Sequence, residues 1–99
     1  MKTVPEILRD CANTYEERNK MYGDNYKKFG HAMAAIFPNG LCLYTVEDFN
    51  RLGIFIQCLS KLTRYSETLT RGGHQDSAHD LSVYAAMLEE LTDADPTGL

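Results

Sequence analysis

The stretch RGGHQDSAHDLSVYAAM, Arg71 to Met87, concentrates residues whose types and spacing could do chemistry. Two glycines, two histidines and two aspartates stand directly before an apolar run with helical spacing. Such a set could hold a metal, cradle a phosphate or simply start a helix. In the last reading Gly72-Gly73 is an interhelical turn, Ser77 caps the helix, Asp80 completes the capping box and Asp76 sits at the positive end of the helix dipole.

Basic residues upstream add a second possibility. Gln57, Lys61 and Arg64 fall on one helical face at spacings of four and three. In an antiparallel hairpin about Gly72, Arg64 lies as far before the turn as Asp80 lies after it. That geometry predicts an Arg64–Asp80 ion pair, with Lys61, Asp76 and Tyr84 converging nearby. Cations and carboxylates so placed would suit a phosphate, directly or through Mg²⁺. Tyr22-Gly23-Asp24 with Asn25, Lys27 and Lys28 is the other polar cluster, either an interhelical turn or a loop presenting Asn25 and Lys28 to an anion. Tyr22, Tyr65 or Tyr84 could stack on a base or belong to the core.

Other chemistries find less support. His74 and His79 do not form H-x-x-x-H or H-E-x-x-H. A Mg²⁺ ion would draw on Asp76, Asp80 and a carboxylate from another helix, with Glu16, Glu17, Glu47 and Asp48 as candidates. There is no G-x-S-x-G nucleophile elbow, Walker loop or G-x-G-x-x-G.

Four helices must position these residues. Thr3-Val4-Pro5-Glu6 reads as a capping box with proline in the first turn. Val4, Ile7, Leu8, Cys11 and Tyr15 then mark one face of a helix reaching about Lys20. A shorter helix carries Tyr26, Phe29, Met33 and Ile36 and stops at Pro38-Asn39-Gly40. Leu41 to Tyr44 is a buried connector or a brief extended piece. Thr45-Val46-Glu47-Asp48 starts a long helix to about Thr68, whose wide stripe (Val46, Phe49, Leu52, Phe55 or Ile56, Leu59, Leu62) makes it central. Leu81, Tyr84, Ala85, Leu88 and Leu91 mark the last helix. The expected fold is an all-α four-helix bundle with a long central third helix and an antiparallel hairpin of helices three and four.

Residues 1–99 suit one domain, with 92–99 expected as a frayed tail. The net charge of −4 speaks against generic duplex nucleic-acid binding. The absence of a long apolar run speaks against a membrane span, and the charged N-terminus lacks a signal-peptide pattern, so a cytoplasmic protein is expected. Cys11, Cys42 and Cys58 suggest neither a disulfide framework nor zinc, and Cys11 and Cys58 are expected in the core. A chain this short offers a shallow pocket alone, so a homo-oligomer is expected, with the stripe on the third helix as a possible surface.

The combined pattern resembles a family of small phage and prophage proteins of unknown function. The resemblance rests on Glu17-Arg18, Tyr22-Gly23-Asp24, Phe29, Glu47-Asp48, Lys61-x-x-Arg64 and Gly73-His74-x-Asp76-Ser77-x-x-Asp80-x-x-x-Tyr84-Ala85-Ala86, and spans about Glu16 to Leu91. More distantly, the chain is similar to phage nucleotide-modification-associated domains and to MazG-like all-α nucleotide pyrophosphohydrolases. Those hydrolases hold Mg²⁺ with E-E-x-x-E on one helix and E-x-x-D on the next. Here Glu16-Glu17 is followed by Asn19-Lys20, and Glu47-Asp48 by Asn50-Arg51.

The resemblance implies binding of a nucleotide, a cyclic nucleotide or a related signalling molecule without turnover. Lys61 and Arg64 would contact phosphate while Asp76 and Asp80 orient them. Sequestration of a host immune signal would be one use. The alternatives are Mg²⁺-dependent nucleoside triphosphate pyrophosphohydrolysis through Asp76, Asp80, Glu17 and Glu47, and a phage factor that binds a host protein.

Overall fold

The computed structural model describes residues 1–93, except for the Tyr22 side chain. Four α-helices follow in order: α1 (Val4–Tyr22), α2 (Asn25–Ile36), α3 (Val46–Ser66) and α4 (Gln75–Glu90). A short 3₁₀ turn, Leu69–Arg71, precedes α4. The fold is all-α, with no strand among the described residues. No described helix is long and apolar enough to cross a membrane. Residues 94–99, most of the expected frayed tail, lie outside the described residues.

Local chemistry sets the first and third helix starts. The Thr3 hydroxyl accepts from the Glu6 backbone N–H at 3.4 Å, and Pro5 occupies the first turn, where no intrahelical donor is needed. The Thr45 hydroxyl accepts from the Asp48 N–H at 3.0 Å. That threonine hydroxyl first, and then Arg51, hold the Asp48 carboxyl below its ordinary range.

The hairpin of α3 and α4 is the principal packing unit, and α2 packs less extensively on α3. Leu59 is buried, with Leu52, Phe55, Ile56 and Cys58 half-buried around it. Phe37, just past α2, meets Phe55 edge-to-face at 5.4 Å. The Leu41–Tyr44 connector is irregular, with Leu43 half-buried and its neighbours exposed.

Arg51 ties the open end of the hairpin. Its Nη2 reaches Asp48 at 3.0 Å, and its Nη1 donates to the carbonyl of Leu91, just past α4, at 3.1 Å. A cation there also opposes the negative end of the α4 dipole. Arg51→Met should therefore speed hydrogen exchange at the Leu91 and Thr92 amides by about five-fold or more, from roughly 1 kcal/mol of lost hydrogen bonding. Unchanged protection there would remove this role.

α1 differs from the other helices. It packs on none of them to a comparable extent, and its predicted stripe stays in water, with Val4, Ile7, Leu8 and Tyr15 all exposed. Cys11, expected in the core, is exposed too, because the stripe carrying it has no cover. Cys58, on the packed α3, is half-buried.

Candidate functional site

The turn before α4 is built differently from the capping box expected at Ser77. Its N-cap is His74, whose Nδ1 accepts the Ser77 backbone N–H at 3.2 Å and lies 2.7 Å from the Ser77 hydroxyl. An imidazole nitrogen thus does what a serine oxygen commonly does for the free donors of a first turn. Ser77 is instead the most buried of the described residues, 2% exposed, inside the helix. Gly72 and Gly73 have φ of +98° and +82°, and the Gly73 N–H donates to the Thr68 carbonyl at 2.8 Å. A Cβ on Gly73 would sit 2.6 Å from Cζ of Tyr65. Tyr65 therefore packs on the bare backbone of this glycine, which leaves it unsuited to stacking on a base there.

Hairpin register decides which cation meets Asp80. The expected Arg64–Asp80 pair gives way to Lys61–Asp80, at 3.4 Å. The link between Ser66 and Gln75 is centred near Thr70 and Arg71 rather than Gly72, so Lys61 and Asp80 stand equally far from it. Lys61 also lies 6.0 Å from the centroid of the Tyr84 ring, and its side chain is only 13% exposed. Lys61, Asp80 and Tyr84 thus meet as expected, but the lysine charge is already answered. Asp76 is exposed in the first turn of α4 and forms no ion pair among the described residues.

The second polar cluster fastens α2 to the end of α3. Lys28 Nζ lies 2.6 Å from Glu67 and 3.3 Å from the Ser66 hydroxyl. This places its cation at the negative end of α3. Asn19, next to Lys20 where the hydrolase pattern would have a third carboxylate, organises the α1–α2 turn. Its amide donates to the Gly23 carbonyl at 3.2 Å and to Asp24 at 2.9 Å. Lys27, first through its hydrogen bond, and then Asn19 lower the Asp24 pKa. Tyr22 shares this turn, but its side chain lies outside the described residues.

Arg64 turns to the α1 side. With Lys2, Asp10, Arg18, Asn25 and Tyr26 it lines an open groove of about 620 Å³, walled along α1 by Ile7, Cys11, Thr14, Tyr15 and Asn19. Lys2 pairs with Asp10, whereas Arg18 forms no ion pair among the described residues. Tyr15 and Tyr26 meet edge-to-face with centroids 6.5 Å apart. The Tyr26 side chain raises the Tyr15 pKa, chiefly by hydrogen bonding and then by charge interaction. The Asn25 Oδ1 is buried and has no hydrogen-bond partner among the described residues. Such an acceptor is costly unless a donor reaches it.

Against family models, curated proteins and solved structures the chain has no match. The site therefore has to be judged on its own groups. Three cations face one carboxylate in the groove, beside two phenol rings and two side-chain amides. Such a wall can take an anion and an aromatic ring together.

The carboxylates of the hydrolase alternative are dispersed. Glu17 pairs with Lys20 at 3.3 Å, Asp80 with Lys61, and Glu47 lies in the first turn of α3, at the far end of that helix from the α4 start. Among the described residues no group of three His, Cys, Asp or Glu side chains is placed to hold a metal ion.

Arg18, Asn19, Tyr15 and Tyr26 are the groove residues that sequence reasoning passed over. Arg18 and Asn19 stand beside Glu17 in a segment read for carboxylates, and Tyr15 was assigned to a core stripe. The spacing of three and four that joins Tyr15 to Arg18 and Asn19 along α1 was the available signal.

Proposed function

We propose that this protein binds a nucleotide or nucleotide-derived small molecule in the α1–α2–Arg64 groove and releases it unchanged. The observation that carries the reading is Arg18, a groove cation without an ion-pair partner among the described residues, beside the Tyr15–Tyr26 ring pair. Phosphate oxygens would meet Arg18 and Arg64, whose planar guanidinium groups suit bidentate contact. A base would lie against the phenol edges, and a donor on it would satisfy the buried Asn25 Oδ1. Lys61 and Lys28 act elsewhere, each committed to a carboxylate. Holding without hydrolysis is supported by the dispersal of the carboxylates, since among the described residues no group of three is placed to hold a metal ion. Sequestration of a host signalling nucleotide by a phage-type protein is the use we attach to this reading.

The test is filtration of the protein with Mg²⁺ and a panel of nucleoside triphosphates and cyclic nucleotides, followed by chromatography of the filtrate and of the retained material. A nucleotide retained and recovered intact is the expected result. Arg18→Ala should weaken it by about 10- to 100-fold, the equivalent of one lost charge-assisted contact, while Lys61→Met leaves it unchanged. Release of monophosphate and pyrophosphate would replace the reading with hydrolysis. Retention of nothing would reject it.

A further inference from the structure

The chain exposes 7810 Å², whereas a compact monomer of 11.2 kDa exposes about 5,700 Å². Allowing residues 94–99 the full surface of an extended chain, roughly 800 Å², still leaves an excess of about 1,300 Å². A standard protein–protein interface takes roughly 800 Å² from each partner, and an obligate homodimer about 1,000–2,500 Å². The excess is thus the size of one obligate interface.

Its place is α1. Val4 and Leu8 are 68% and 62% exposed, with Ile7, Tyr15 and Met21 also in water. The third-helix stripe, by contrast, is covered through its middle by the hairpin, with Leu59 buried and Leu52, Phe55 and Ile56 half-buried, while Val46, Phe49 and Leu62 stay exposed. A single buried apolar residue among those described is too little to hold a domain of this size together.

We propose that the exposed apolar face of α1 packs against a second copy of this chain, forming a homodimer whose core is completed across the interface. Two observations favour a copy over a foreign partner. The incomplete core makes the cover a requirement of folding, and a copy is present whenever the chain is. The flanks of the stripe also carry both signs, Glu6, Asp10, Glu16 and Glu17 against Arg9, Arg18 and Lys20. This near-neutral helix can face itself without the repulsion that a single-sign surface would bring. Val4 and Leu8 do not line the groove, whereas Ile7, Cys11 and Tyr15 on the same helix do, so the second copy would border the nucleotide groove; Leu8→Asp reports on the dimer and Arg18→Ala on the nucleotide reading.

Sedimentation equilibrium of the full chain at micromolar concentration tests the proposal. The expected mass is about twice 11.2 kDa, falling to the monomer value in Leu8→Asp, while Val83→Asp, on an exposed site of α4, stays dimeric. A monomeric wild type, or a dimer untouched by Leu8→Asp, overturns it. Should Leu8→Asp fail to fold, hydrogen exchange of the wild type on dilution decides. Loss of α1 protection before that of α3 and α4 supports the dimer, and equal loss, or no dependence on concentration, rejects it.

Discussion

Gly73→Ala is expected to lower the thermal unfolding midpoint by at least about 10 °C, from a loss of roughly 2–4 kcal/mol. Two costs combine. At φ +82° an alanine occupies left-handed backbone that L-residues enter at about 1–2 kcal/mol. Its Cβ would also clash with the phenol end of Tyr65, 2.6 Å from Cζ, so that ring would have to shift. Gly72 separates the two, because its φ is +98° but nothing lies within 4 Å of a Cβ built there. Gly72→Ala should therefore cost only the backbone share, about 1–2 kcal/mol. Thermal scans at one protein concentration make the comparison. In a Tyr65→Ala background the Gly73→Ala penalty should shrink towards that of Gly72→Ala, since the clash partner is gone. Equal losses for the two glycines in the parent would show that Tyr65 does not lie on Gly73 in solution.

What the sequence disclosed, and what it withheld, follows the range of the interactions. Thr3 and Thr45 were legible as caps because cap, acceptor and first turn lie within three residues. His74 was not, since Ser77 and Asp80 formed an S-x-x-D pattern that pointed to a later start. The burial of Ser77 inside the helix, a tertiary matter, decided otherwise. The hairpin of α3 and α4 could be inferred from two stripes and a glycine turn, but its register depended on the link. A 3₁₀ turn at Leu69–Arg71 recentred that link and gave Asp80 to Lys61.

The groove was the least legible part. Arg64, on α3, is far in sequence from Arg18 and Tyr15 on α1, and only the fold brings them to one groove. The α1 stripe read correctly as an apolar face. What sequence periodicity could not say is whether this chain covers it.

Leu59→Ala is expected to cost about 2–3 kcal/mol and to lower the urea midpoint correspondingly, with no change in the groove residues. Leu59 is 9% exposed and is the only buried apolar side chain among the described residues, on the helix that both α2 and α4 pack against. Removing it leaves a cavity edged by half-buried neighbours, which can partly collapse, so the loss should lie toward the lower end of the Leu→Ala range. A domain this small has little margin, and a loss of that size would leave a measurable unfolded fraction before any denaturant is added. Leu62, three residues on and 51% exposed, is the control, with an expected change within about 0.5–1 kcal/mol. Comparable losses at the two positions would mean that Leu62 is as well covered in solution as Leu59. The second copy would then sit on α3 rather than on α1, and the Leu8→Asp variant would remain dimeric.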